Sequence, residues 1–334
     1  MKIYYPDTGY VNIEGILHEG YPFIFCCGGR GTGKTFNALR TAREQKRKFM
    51  FLRRLQSQAD LISKPEFSVF KPLNKILNFN VIPEKVSKYN SAFVENDEQI
   101  GYTGALSTIS NMRGFDASDV DLIIYDEFIP EKHERPIKNE AKALWNAYET
   151  INRNRELTGV PPVQLLCLAN SNEIANPVFE DLGLIRIADR MQKKGTEVWT
   201  DDKRGIMLIM LQRSPISREK GKTALYHLTE GTEFAHMSLN NSFNLDRSHI
   251  RPRPIAEYLP VCQIGELSLY RHKSEHRLYG TTHQAGVFSR KYGSSETEKL
   301  YYRRVFYHHW EMYISNQIDF EDVLSEKLFL HFLE

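Results

Sequence analysis

The sequence predicts an α/β fold with a mainly parallel sheet, a small linker region and a C-terminal α+β domain. Three observations predict it. Short apolar runs alternate with segments of helical spacing over roughly the first half of the chain. A glycine-rich stretch, Gly28-x-x-x-x-Gly33-Lys34-Thr35, sits where one apolar run passes into a helix. After about residue 200 the pattern changes, and the Pro- and Arg-rich stretch DRSHIRPRPIAEYLP marks a boundary. The expected domains span residues 1–212, 213–248 and 249–334.

Taken in order, FIFCC (23–27) is continuous and apolar, as a strand buried on both faces must be. From Lys34 to about Lys46 the chain reads as a helix ending in the basic run REQKRK. FMFLRR follows as a second strand with Arg53 and Arg54 at its end, and DLIIY (121–125) is a third, closed by Asp126 and Glu127. In KNEAKALWNAYETINRNRE, the residues Ala141, Leu144, Trp145, Tyr148 and Ile151 recur at helical spacing. VQLLCLAN is a further strand ending at Asn170, and GIMLIML is one more, placed at an edge. ISREKGKTALYHLTEGTEF reads as a linker with some helix. Beyond the boundary, VCQIGELSLYRH and RLYGTT suggest an antiparallel hairpin. SETEKLYYRRVFYHHWEMYI and FEDVLSEKLFLHFL suggest two amphipathic helices, the second carrying Asp319, Glu321 and Asp322.

Composition narrows the function classes. The 334 residues carry a formal net charge of only +2, so any polyanion contact must come from local patches rather than from the whole chain. The four cysteines (Cys26, Cys27, Cys167, Cys262) lie in apolar runs without metal-ligand spacing and read as buried thiols of a reducing compartment. No apolar run approaches the length that spans a bilayer, so the expectation is a soluble, cytoplasmic protein without a membrane partner. The pairs His272/His276 and His308/His309 read as surface histidines rather than metal ligands.

The glycine-rich stretch carries the chemistry. A polyphosphate needs many donors converging on a small volume. Glycines let backbone N–H groups turn inward, and the following helix N-terminus adds its partial positive charge. Gly28, Gly29, Arg30, Gly31, Thr32, Gly33, Lys34 and Thr35 are therefore the candidate nucleotide-binding residues. Lys34 would reach the terminal phosphates of ATP, and the Thr35 hydroxyl would bind Mg²⁺. Asp126, at a strand end, suits the shell of Mg²⁺, and adjacent Glu127 suits a general base that orients water. That pair points to hydrolysis. No Asn-Lys-x-Asp guanine-reading motif occurs, which disfavours a GTPase. Asn170 could sense the γ-phosphate. Arg153 and Arg155 end the helix between these strands, where an arginine either offsets the helix dipole or serves a neighbouring subunit's site as an arginine finger.

GGRGTGKT, FLRRL, IIYDEFI, INRNRE, CLANS and EGTEFAHMSLNNSF occur in that order. Together they resemble the genome-packaging ATPases, or encapsidation proteins, of small phi-29-type tailed phages, over residues 15 to 245 or so. The resemblance implies an ASCE-type P-loop domain, a small linker domain and a C-terminal domain of RNase H-like shape. It implies a homo-oligomeric ring, pentameric in that family, on the portal of an empty capsid. The ring would drive double-stranded DNA inward, with a structural RNA as a further partner in some cases. The location so implied is the host cytoplasm, transiently on the procapsid portal, and not the mature virion.

By resemblance, Lys34 and Thr35 match the Walker A lysine and hydroxyl, and Asp126 and Glu127 the Walker B acid and catalytic glutamate. Arg153 matches the trans-acting finger and Asn170 the coupling residue. Arg53 and Arg54 match a basic pair near nucleotide or DNA. Two departures stand out. Gln56 occupies a position where a DNA-touching lysine is expected, which makes Arg113 a substitute DNA-binding candidate along with Arg53 and Arg54. The first C-terminal strand also lacks a central Asp, and a two-metal nuclease needs converging carboxylates. The C-terminal domain is therefore expected to be a vestigial nuclease that binds without cutting. Two other classes share a phosphate loop: a P-loop kinase for a small metabolite, which the Asp126-Glu127 pair disfavours, and an ATP-gated scaffold without motor activity.

Overall fold

The structure is a computed structural model that describes residues 1–112, 117–130, 134, 136–170, 173–232, 235 and 248–333. The chain divides into two compact units. One comprises Met1–Asp181 and Met191–Phe243, the other Leu182–Arg190 and Asn244–Glu334.

The first unit is built on a nine-stranded sheet. Its strands are β1 (Phe23–Cys27), β2 (Phe49–Arg53), β3 (Val81–Lys85), β4 (Ser91–Glu95), β5 (Glu98–Ala105), β6 (Leu122–Asp126), β7 (Gln164–Ala169), β8 (Val198–Asp201) and β9 (Ile206–Met210). They lie in the order β3-β4-β5-β2-β6-β7-β1-β9-β8. The six strands from β5 to β9 in that order run parallel, with β4 and β3 added antiparallel on one side and β8 on the other. The expected mainly parallel sheet is therefore observed. Its central strands are apolar on both faces because helices cover both.

Two sequence expectations change. GIMLIML is β9, one position in from the edge, because β8 pairs along it. The β3–β5 segment forms strands that its sequence does not announce. Its edge strand, VIPEK, carries Pro83 and exposed charge, and resembles loop in composition.

The helix after the phosphate loop runs over Lys34–Glu44. The basic run behind it is committed within the chain: Arg43 makes a two-pronged contact with Glu95, at 2.9 and 3.1 Å, and Arg47 pairs with Asp121 at 2.7 Å. One part of the core gathers Phe25, Phe128 and Phe179, with ring centroids 5.7–5.8 Å apart. All four cysteines are buried and free, and burial raises their thiol pKa values, that of Cys26 to about 12.

The second unit carries a five-stranded sheet of β10 (Tyr258–Ile264), β11 (Leu267–His272), β12 (Leu278–Thr281), β13 (Lys291–Tyr292) and β14 (Ile318–Phe320), in the order β13-β10-β11-β12-β14. β10, β11 and β12 form an antiparallel meander, while β13 and β14 join its two edges parallel to their neighbours. The two expected helices are three, Glu296–Val305, His308–Ile314 and Val323–Leu333, with a break at Phe306 and Tyr307. Asp319 lies in β14 rather than in a helix, because its neighbours Ile318 and Phe320 are core residues, and Glu321 and Asp322 precede the last helix rather than sitting in it. His309 is buried 2.8 Å from the Tyr302 hydroxyl, not at the surface, and burial holds its imidazole down at about 3. Among the described residues, no helix is long and apolar enough to cross a membrane.

Candidate nucleotide site

Strand order positions the site. β7 lies between β1 and β6, so the ends of all three strands open on the same side. The helix that follows the loop after β1 opens with Lys34 and Thr35, the end of β6 contributes Asp126 and Glu127, and the end of β7 contributes Asn170. Arg53 closes β2, the neighbour of β6 on its far side.

The loop has the backbone that anion binding needs. Gly31 and Gly33 have φ of +87° and +85°, a left-handed conformation that side chains disfavour. Lys34 is 4% exposed. Its ammonium donates to the carbonyls of Gly28 (3.0 Å) and Gly29 (2.9 Å) and to the Thr32 hydroxyl (3.0 Å). Burial lowers its pKa. The ammonium thus rests on the loop, held by neutral acceptors.

Facing it, the Thr35 hydroxyl donates to Asp126 Oδ1 at 3.0 Å. Asp126 is 3% exposed, and its pKa is raised, first by burial and then by Glu127, against the opposing pull of Arg53, Thr35 and Lys34. Arg53 bridges the acidic pair, reaching Asp126 Oδ2 at 3.3 Å and bonding Glu127 Oε2. Asn170 Nδ2 donates to Glu127 Oε1 at 3.3 Å. Glu127 itself has φ +58°, unfavourable backbone for a residue with a Cβ. Five side chains from four strand ends thus form one connected set.

The other expected residues fall elsewhere. Arg54, a DNA-binding candidate, is fully buried: it donates to Glu140 at 2.7 and 2.9 Å and to Glu134 at 2.8 Å. Alternation along β2 turns it to the opposite face from Arg53. It is a structural cation, and that candidacy is corrected. Arg53 is likewise occupied, by the acidic pair at the end of β6. Arg113 lies outside the described residues. Gln56 opens a short helix and bonds Asp60 at 2.8 Å.

Arg153 follows helix Glu140–Asn152, is exposed, and has φ +48°. The turn holding it is pinned: Asn152 Oδ1 accepts from the Val163 amide at 2.8 Å, and Arg155 donates to the Val120 carbonyl at 2.7 Å and the Pro161 carbonyl at 3.2 Å. Arg155 is thus spent on backbone carbonyls ahead of β6 and β7. A 13-residue helix spans about 20 Å. Arg153 is therefore carried about that far from Glu140, the residue that opens the helix.

The segment expected as linker also touches the loop. Ser214 Oγ donates to the Gly31 carbonyl at 3.2 Å, and Lys220 Nζ to the Arg30 carbonyl at 2.9 Å. A side chain at Gly31 would collide with Ile216. Nothing in SPISREK signals this. These residues arrive because β9 pairs with β1, and composition does not encode strand order.

Together, sheet order, loop and acidic pair define a P-loop nucleotide-binding protein of the α/β class. A family model described as podovirus DNA encapsidation protein (Gp16) matches residues 7–253, and the chain belongs to that family. It is 30% identical over 251 residues to the DNA packaging protein of Bacillus phage PZA, covering 72% of this chain and 68% of the relative. It is 29% identical over 244 residues to that of Bacillus phage phi29, covering 70% and 66%. The chain is also similar to a solved structure described as the bacteriophage phi-29 viral genome packaging motor assembly. There the TM-score is 0.68 at 19% identity, over 99% of this chain and 100% of the other. A structure described as the phi-28 gp11 DNA packaging motor gives a TM-score of 0.61 at 20% identity, over 98% of each chain. At these identities the structural likeness establishes the fold.

Proposed function

We propose that this chain is an ATP-driven motor that moves double-stranded viral DNA into a preformed capsid, hydrolysing ATP at the subunit interfaces of a homo-oligomeric ring. Membership of the encapsidation family supports the DNA-packaging part of this reading. The observation that carries the hydrolytic part is the connected set Thr35–Asp126–Arg53–Glu127–Asn170 beside the buried Lys34 ammonium.

The residues fit Mg²⁺-ATP. Thr35 and Asp126 offer hard oxygen donors 3.0 Å apart, the sparse protein ligation that Mg²⁺ takes when phosphates and waters complete its shell. Bound there, Mg²⁺ would neutralise phosphate charge. Lys34 would exchange its carbonyl acceptors for phosphate oxygens, a stronger, charge-assisted contact.

Glu127 is restrained by its neighbours. Its carboxylate accepts from Arg53 and Asn170, which occupies part of its acceptor capacity and makes it a weaker base for a water. The clamp is imperfect: Arg53 Nε is buried without a hydrogen-bond partner among the described atoms. An unsatisfied buried donor costs about 1–3 kcal/mol, which favours an alternative arrangement of the guanidinium. Release of Glu127 by Arg53 is then the activating step, and Asn170 reports it to the end of β7. Arg153, exposed beyond the end of helix Glu140–Asn152, serves the neighbour's site in this reading. By family resemblance the ring has five subunits, sits transiently on the portal and is absent from the mature virion.

The second unit, in this reading, binds and does not cut. Asp319 is enclosed by Arg251, Arg253 and Arg277 at 2.8–3.2 Å, Glu321 meets Thr281 and His283, and Asp322 meets Arg186 and Ser325. Glu266 lies apart, exposed in the turn between β10 and β11. Carboxylates so engaged do not converge on two metal ions.

ATP turnover measured with and without double-stranded DNA tests the proposal. DNA should stimulate hydrolysis, and Glu127→Gln should lose about 10³-fold or more of the turnover while still binding ATP. Near-normal turnover in that variant, or dependence on a small-molecule acceptor, would overturn the reading.

A further inference from the structure

Lys220 lies in the segment that leaves β9, outside every motif of the phosphate loop. Its ammonium donates to the Arg30 carbonyl at 2.9 Å. The same ammonium would be 2.9 Å from a Cβ built on Gly31. Ser214 holds the next carbonyl, that of Gly31, and Ile216 packs against the same glycine. The stem of Lys220 is therefore anchored beside the loop, with its charge on the loop's rim.

Among the described residues, that charge has no carboxylate of its own. Its sequence neighbour Glu219 is paired with Lys222 at 2.8 Å. Among the described residues, no Asp or Glu forms an ion pair with Lys220. Asp126 and Glu127, the acids of the site, are bridged by Arg53. Lys34, Arg30 and Lys220 thus bring three formal positive charges to one short loop. Burial, with Arg30 adding to it, lowers the Lys220 pKa. Cations gathered at a site shaped for anions are relieved when a polyphosphate arrives.

Resting on the reading of this loop as a triphosphate site, we infer that Lys220 is a second phosphate-binding ammonium that contacts the terminal phosphate of the bound nucleoside triphosphate. The loop is one backbone thick, and lysine is a point charge on a flexible four-carbon stem, so the ammonium needs to move only a few ångströms from the outer carbonyl to the phosphate. The terminal phosphate is the target because Lys220 shares its field with Lys34, whose place is on the β- and γ-phosphates. Contact of this kind also joins the segment after β9 to the state of the nucleotide, since a diphosphate leaves Lys220 on its carbonyl.

The test is binding of ATP and ADP, each with Mg²⁺, to the full-length chain, read by displacement of a fluorescent nucleotide. Lys220→Met keeps an aliphatic stem against Ile216 and removes the charge. It should weaken ATP about tenfold or more, the scale of a hydrogen bond to a charged group, and ADP by less than threefold. Lys220→Arg should retain most of the ATP affinity. Lys222→Ala, on the same segment, should leave both unchanged. ATP affinity within twofold of the parent in both Lys220→Met and Lys220→Ala, or equal losses for ATP and ADP, would overturn the assignment. Lys34→Ala distinguishes a deeper failure: if it binds ATP as well as the parent, the triphosphate reading of the loop itself is wrong.

Discussion

Arg54 offers the sharpest test of how the first unit is held together. It directly follows β2, fully buried, with Nε and one terminal nitrogen on the two oxygens of Glu140 and the other on Glu134. Glu140 is 2% exposed and also accepts from the Tyr125 hydroxyl at 3.1 Å. It is the first residue of helix Glu140–Asn152, so this contact ties the strand ends of the site to the helix that carries Arg153. Arg54→Ala would leave Glu140 buried with a hydroxyl as its remaining partner. Breaking one side of such a pair costs about 3–5 kcal/mol, mostly the penalty of the abandoned charge. For a unit of this size each kcal/mol shifts the midpoint by roughly 2–4 °C, so the expected loss is about 6–20 °C.

The assay is urea and thermal unfolding followed by circular dichroism, with DNA binding measured against salt. Arg54→Met combined with Glu140→Leu should recover much of the stability, because removing both charges also removes their desolvation cost. The salt dependence of DNA binding by folded Arg54→Ala should not change. A stability loss below about 1 kcal/mol, together with a salt slope reduced by about one phosphate contact, would refute the reasoning and return Arg54 to the DNA surface.

Two other outcomes follow from the same site. Arg153→Ala subunits should lack ATP turnover alone and regain part of it when mixed with Lys34→Ala subunits, since one intact site forms at a mixed interface. A finger is worth about 10³ or more in rate, so absence of rescue despite co-assembly would count against a trans role. Asp126 has a raised pKa, so the folded chain holds its proton more tightly than the unfolded chain. In the nucleotide-free protein its contribution is therefore favourable at low pH and is lost as pH rises from the ordinary aspartate value through the raised one. Asp126→Asn should raise the melting temperature of the nucleotide-free protein at pH 7, flatten that part of the pH profile and abolish Mg²⁺-dependent hydrolysis. A melting temperature at or below the parent's would contradict the burial argument.

The sequence by itself determined the chemistry-bearing elements of the first unit. The strand before the loop, the loop, the helix after it and the acid-ended strand were legible because each is a local pattern. Continuous apolar runs need two-sided burial, glycines meet positive φ, and a lysine and hydroxyl open the helix. The family followed from the order of such patterns. What the sequence did not determine was which charges face each other. Arg53 and Arg54 are adjacent and identical in type, yet strand alternation sends one to the acidic pair and the other into a buried pair with Glu140. Arg153 and Arg155 differ in the same way, one exposed and one spent on carbonyls. Lys220 reaches the loop only because β9 pairs with β1, and His309 is buried only because Tyr302 and Phe306 close over it. Local propensity and motif spacing act over a few residues. The partner of a charged side chain is chosen by strand order and packing, which bring together residues as far apart as Arg30 and Lys220, and only the tertiary structure decides that.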